Sequence, residues 1–230
     1  MLLSTRLSAA ACVSLLDAVG CDTILYEPSL NIRATIGEVL RLKAIACRSI
    51  VQRASLSQAQ VSPSVSALKR SRSHEEQEKS VAIIMHSSGS TGFPKPIFIT
   101  HQVLKMFMIR GSEMTAFIPL PWFHSYGLCK YLPTMYMGKT AFMWNTSLPL
   151  TAGGLVAAME EAQPESVHIV PYILQLLADS SHGVELLRKC KVVTYGGAVC
   201  PDELGNRLVH EGVRLGCQFG SLATLSLDFI

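Results

Sequence analysis

Residues Val81 to Thr100 read VAIIMHSSGSTGFPKPIFIT, and the fold turns on them. Val81 to Met85 is a short apolar, β-branched run without helical period, which predicts a strand. It empties into His86, Ser87, Ser88, Gly89, Ser90, Thr91 and Gly92, a loop with little side-chain bulk to keep an anion away. Gly89 and Gly92 can take backbone angles closed to other residues, so that N–H groups converge, while Ser87, Ser88, Ser90 and Thr91 add hydroxyl donors and Lys95 a mobile positive charge. This is the chemistry of a polyphosphate cradle. It is not the common nucleotide loop, which needs Lys directly after its second Gly and a helix to follow. Here Pro94 and Pro96 bracket Lys95, and a Lys between two prolines does not open a helix. Taken alone, S-S-G-S-T-G more often merely joins two strands.

The whole string decides between these readings. H-S-S-G-S-T-G-F-P-K-P resembles the signature (S/T)-S-G-(S/T)-T-G-x-P-K-G of the adenylate-forming superfamily. That group includes acyl-CoA synthetases, luciferases, nonribosomal peptide synthetase adenylation domains and fungal adenylate-forming reductases. Glycines, hydroxyls, Pro and Lys fall at matching spacing, with Pro96 where the family usually has Gly. The resemblance implies an α/β fold, the N-terminal lobe of such an enzyme in part, with a mixed or parallel sheet flanked by helices. It also implies ATP and Mg²⁺ as cofactors and Ser87, Ser88, Gly89, Ser90, Thr91, Gly92 and Lys95 as the ATP phosphate-binding residues.

Bulk properties narrow the class. In 230 residues, 49% are apolar and 16% charged, which describes a globular chain with a sizeable core. A net charge of +3, without a basic stripe interleaved with aromatics, gives no support for a nucleic-acid partner. Seven cysteines are scattered without a C-x-x-C pair, so neither a zinc site nor a closed disulfide set is indicated, and a reducing cytoplasm fits. Arg6 followed by Leu7 to Leu16 faintly imitates a secretory signal. Asp17 closes that run, however, and an amphipathic helix over Leu7 to Val19 is the better reading. No stretch is long and apolar enough for a membrane span.

Along the chain the pattern alternates. Thr23 to Tyr26 reads as strand and Ile32 to Val51 as a basic amphipathic helix, a surface helix rather than a membrane or partner element. From about residue 54 to 80 the composition turns to Ser, Gln and charges, and is expected to be an exposed polar linker. Ile97 to Ile99 reads as strand and His101 to Arg110 as helix. Phe117 to Leu128, FIPLPWFHSYGL, carries too much Pro and aromatic residue for a helix and is expected to be a strand entering a pocket-lining turn. Further strands are predicted over Thr140 to Trp144, Ser166 to Val170, Lys191 to Tyr195 and Val213 to Phe219. Helices are predicted over Gly153 to Gln163, Pro171 to Ala178 and Pro201 to Glu211. Such alternation puts ligands at the carboxyl ends of the strands.

Two further motifs carry the resemblance. Tyr195-Gly196-Gly197-Ala198 follows a strand and is similar to the family's G-G-(A/E) turn, which assigns adenine contact to Gly196, Gly197 and Ala198. P-W-F-H-S-Y-G-L is similar to a P-x-x-H-x-x-G-L stretch of relatives and places His124 at the acyl pocket, with Trp122, Phe123 and Tyr126 equally readable as core aromatics. Gln218-Phe219-Gly220-Ser221 begins like the family's (Y/F)-G-x-T-E motif, but Leu222 and Ala223 stand where Thr and the Mg²⁺-holding Glu are expected. Against the family pattern, residues 1–230 are therefore expected to form an incomplete adenylation domain, entering its N-terminal lobe late and lacking the C-terminal lobe with the catalytic Lys. No catalytic residue and no metal ligand is assigned. The implied reaction is ATP-dependent activation of a carboxylic acid as acyl-adenylate, with CoA or a carrier protein as acceptor, impaired in this chain. The second reading is a noncatalytic remnant that binds nucleotide or protein.

Overall fold

The computed structural model describes residues 1–50, 73–87, 92–145 and 148–220 and divides the chain into two units, Met1–His101 and Gln102–Ile230. The predicted cradle residues Ser88, Gly89, Ser90 and Thr91 lie outside the described residues, as do 51–72 of the polar stretch and the motif break at Leu222 and Ala223.

In the first unit, α1 (Ala9–Ala18) starts where the Ser8 hydroxyl accepts the Ala11 N–H at 3.3 Å, a cap that stabilises a helix by about 1 kcal/mol. Its Ala9, Cys12 and Leu16 pack with Ile24 of β1 (Thr23–Tyr26) and with Ile36 and Val39 of α2 (Leu30–Leu42). The helix expected over Ile32 to Val51 ends early. Lys43 is extended at φ −145° and ψ 133°, and β2 (Ala46–Ser49) pairs in parallel with β1, Thr23 opposite Ala46. A run that fits both periods becomes strand because β1 offers it a ladder. The end of the polar stretch is also ordered: α3 (His74–Lys79) opens with a capping box in which Ser73 accepts the Glu76 N–H and Glu76 accepts the Ser73 N–H. Then β3 (Val81–His86) and β4 (Pro96–Thr100) form an antiparallel hairpin.

From α4 (His101–Met108) the chain runs into the second unit. Its sheet is wholly parallel, in the order β6 (Ala141–Met143), β5 (Ala116–Ile118), β7 (Ser166–Ile169), β8 (Val192–Gly196), β9 (Leu215–Gln218). Every residue of β5 and β7 is buried, as expected of parallel strands covered on both faces. The crossovers are helical: α5 (Ser125–Tyr136), α6 (Ala152–Ala162), α7 (Pro171–Ala178) with α8 (Ser181–Lys189), and α9 (Asp202–His210). Ile169, Leu174, Leu177 and Leu187 are fully buried in the core of this unit, each stabilising it by about 2 kcal/mol.

The stretch Phe117 to Leu128 was expected to hold no helix, yet α5 begins at Ser125 and runs on through Pro133. Tertiary contact overrides the local penalty of proline there. A Cβ on Gly127 would lie 2.7 Å from the Pro121 carbonyl oxygen, so only glycine lets the first turn of α5 rest on the loop before it. Trp122 stacks on Tyr131 with centroids 4.8 Å apart, and Tyr131 donates to the Leu120 carbonyl at 2.9 Å. Because β6 lies on one side of β5 while β7, β8 and β9 follow on the other, strand order reverses at β5. The loop leaving β5, which carries His124, therefore emerges at the switch point, where open parallel sheets bind ligands.

Candidate nucleotide and acid site

In the first unit the hairpin closes its loop with a clasp. The Ser87 N–H donates to the Lys95 carbonyl at 3.0 Å, and the Lys95 N–H returns a bond to the Ser87 hydroxyl at 2.9 Å. Lys95 keeps its side chain exposed, while Pro94 beside it is buried and anchors the strand end. Gly92 sits at φ +148°, with no atom of the described residues within 4 Å of where a Cβ would stand. That backbone region belongs to glycine. One residue deeper, His86 is buried. Its Nδ1 lies 2.9 Å from the Ser87 carbonyl and its Nε2 accepts the Ser4 N–H at 3.1 Å, which fixes Nδ1 as the protonated nitrogen. His86 thus ties the base of the cradle to residues 1–4, whose Leu2 N–H also bonds the Ile84 carbonyl at 3.0 Å. The sequence names His86 as part of the loop; its bracing role needs the pairing of segments 82 residues apart.

In the second unit, β8 ends in a turn whose Gly196 is buried and whose Gly197, Ala198 and Val199 are exposed. A Cβ on Gly196 would lie 2.7 Å from the Gln218 carbonyl oxygen of β9 and 3.4 Å from the ring of Tyr126. Gly197 adopts φ +81°, which a side-chain-bearing residue takes only under strain. The predicted adenine turn and the predicted acyl stretch therefore meet through Tyr126. Trp122 and Tyr126 both pack against the core of this unit, Trp122 stacked on Tyr131 and Tyr126 against Gly196. His124 stands exposed at the head of α5, its ring 4.7 Å from that of Phe123.

Beneath the turn runs a polar chain that sequence reasoning missed. Tyr126 and Thr194 share a hydroxyl hydrogen bond at 2.9 Å, and Thr194 Oγ1 lies 2.6 Å from His168 Nδ1. His168 and Thr194 are register partners on β7 and β8. His168 is 6% exposed, and burial, with the positive charge of Lys130 behind it, pushes its imidazole down to about 3, so the ring is neutral at ordinary pH. A histidine inside the all-buried run Ser166 to Ile169 was the one available hint. On the other sheet face, burial and the neighbouring Cys217 thiol push the Tyr195 phenol up to about 12.

The family of AMP-binding enzymes matches residues 1–221. The chain belongs to that family. An adenylate-forming reductase of Aspergillus terreus is 28% identical over 248 residues, covering 99% of this chain and 22% of the relative. Two solved structures share the fold. A benzoate CoA ligase from Burkholderia xenovorans gives a TM-score of 0.75 at 20% identity, over 99% of this chain and 46% of that one. ATP-bound MatB from Rhodopseudomonas palustris gives 0.75 at 15% identity, over 97% and 45%. This member of the AMP-binding family thus spans about a fifth of the length of the curated relative and just under half of each solved chain. No helix among the described residues is long and apolar enough to cross a membrane.

Proposed function

We propose that this chain supplies the ATP- and acid-binding surfaces of an enzyme that activates a carboxylic acid as its acyl-adenylate. The observation that carries the reading is the clasped hairpin. Ser87 and Lys95 are locked to each other through backbone and hydroxyl, and the Lys95 ammonium is left exposed three residues after a glycine at φ +148°. On this reading Ser87, Ser88, Ser90, Thr91 and Lys95, with the N–H groups of Gly89 and Gly92, neutralise phosphate charge. Gly196, Gly197 and Ala198 seat the adenine, and His124 borders the acid. A carboxylate oxygen attacks the α-phosphorus in line, the new O–P bond forms as the bond to pyrophosphate breaks, and pyrophosphate leaves with the electron pair. The chain's own part is positioning and charge neutralisation. The acyl group would pass to a thiol of CoA or of a carrier protein.

The Mg²⁺ that accompanies ATP finds no ligand set here. Among the described residues no three His, Cys, Asp or Glu side chains gather around a metal position, and Leu222 and Ala223 replace the expected Thr and Glu. The same two replacements support a turnover lower than that of relatives carrying both groups. Seven free thiols favour a reducing compartment, and we place the protein in the cytoplasm. The test is pyrophosphate exchange into ATP by the purified chain with Mg²⁺ and a panel of aryl and aliphatic acids. Acid-dependent exchange is expected, at a low rate. ATP binding without exchange under any acid would instead favour a noncatalytic, nucleotide-binding role.

A further inference from the structure

Below the Tyr126, Thr194, His168 chain lies a cavity of about 140 Å³, roughly the space of four or five waters at about 30 Å³ each. Among the described residues its wall includes Arg110, Lys130, Thr134, His168 and Gln218, and no Asp or Glu. The cavity runs along the sheet face from Gln218 and His168 to Val192 and to Gly111, Ser112 and Met114 ahead of β5, and His168 links it through Thr194 to Tyr126. Its rim is fixed. A Cβ on Gly111 would fall 2.7 Å from the Pro133 carbonyl oxygen, so the loop after α4 lies directly on α5 and holds Arg110 beside it. Arg110 makes no ion pair among the described residues and stays exposed. Lys130 stands one helical turn beyond Tyr126, near enough to His168 for its charge to act on that ring. A neutral imidazole between two cations adds hydrogen bonding without repelling a negative group.

We infer that this cavity receives an anionic group, and that the acid handled by this chain is one bearing a second carboxylate at the end remote from the one activated. The inference rests on the acid-activation reading. It assigns Lys130 and Arg110 as the groups that hold the second carboxylate, with His168 and Thr134 lining the space around it. A monocarboxylic acid of the same length would lack that contact, and a charge-assisted contact of this kind is worth about a tenfold difference in affinity.

Calorimetry on the full chain saturated with ATP tests it, using aliphatic mono- and α,ω-dicarboxylic acids of matched length together with benzoate and terephthalate. At one length the diacid is expected to bind at least about tenfold tighter than its monoacid. The preference is lost in Lys130→Met and reduced in Arg110→Gln, the latter an exposed change that leaves the fold alone. The ring signals of His168 shift on adding the diacid. Monoacids binding as tightly as diacids at every length, or a preference that survives both substitutions, overturns the inference while leaving acid activation standing. ATP binding with no binding of either acid series overturns both.

Discussion

The β3–β4 hairpin and the carboxyl edge of the parallel sheet are two ways of building the proposed binding surfaces. In the hairpin strand, small-residue loop, clasp and charge follow one another within twenty consecutive residues, the closing bonds join Ser87 to Lys95, and only the brace from His86 to Ser4 comes from elsewhere in the chain. At the sheet edge the participants are Tyr126, His168, Thr194, Gly196 and Gln218, from one helix and three strands, and register alone brings them together. The first surface is local and tolerates change in its surroundings. The second is a packed assembly in which each residue is held by the others, so the same substitution should act differently on the two.

Glycine replacement gives the largest contrast. Gly196→Ala drives a methyl into the Gln218 carbonyl at 2.7 Å and against Tyr126, and should cost about 2–3 kcal/mol of stability. Gly92→Ala meets no atom of the described residues within 4 Å and is opposed by its φ of +148°, by about 1 kcal/mol or more. Urea denaturation of both variants checks the ordering, and equal losses would erase the distinction between packed and local. A smaller effect separates the regions by pH. The His168 value is depressed from 6.5 to about 3 in the folded chain, so between those values the unfolded chain holds a proton that the folded one does not. Its contribution is fully present above pH 6.5 and falls as pH drops toward 3, by at most about 1.4 kcal/mol per pH unit. Wild type is expected to lose about 1 kcal/mol more than His168→Leu between pH 7.5 and 5.5, read from denaturation midpoints. Parallel losses in the two proteins would remove His168 from the account.

The two regions also differ in how far the sequence reveals them. The Ser/Gly loop is readable because its spacing is the motif. The α/β alternation is readable because strand and helix periods are distinct over most of the second unit. Ala46 to Ser49 is not, because its apolar spacing also continues the helix before it, and only pairing with Thr23 to Tyr26 decides. Nor is α5, where the packing of Gly127 on Pro121 outweighs Pro133. His74 to Lys79 is missed although Ser73 and Glu76 have capping-box spacing, because the charged composition around them reads as linker. The chain from Tyr126 to His168 leaves almost no trace, since a hydrogen bond across neighbouring strands depends on register that no local pattern encodes.

The central claim is that the hairpin is a phosphate site, and Lys95 is its exposed charge. The direct measurement is the equilibrium affinity for ATP of the folded wild-type chain and of Lys95→Ala, by calorimetry, with circular dichroism to show that the variant keeps its fold. The wild type should bind ATP and the variant about tenfold more weakly, the loss expected for one charge-assisted contact. Affinity unchanged by the substitution, or no ATP binding by the wild type, would contradict it.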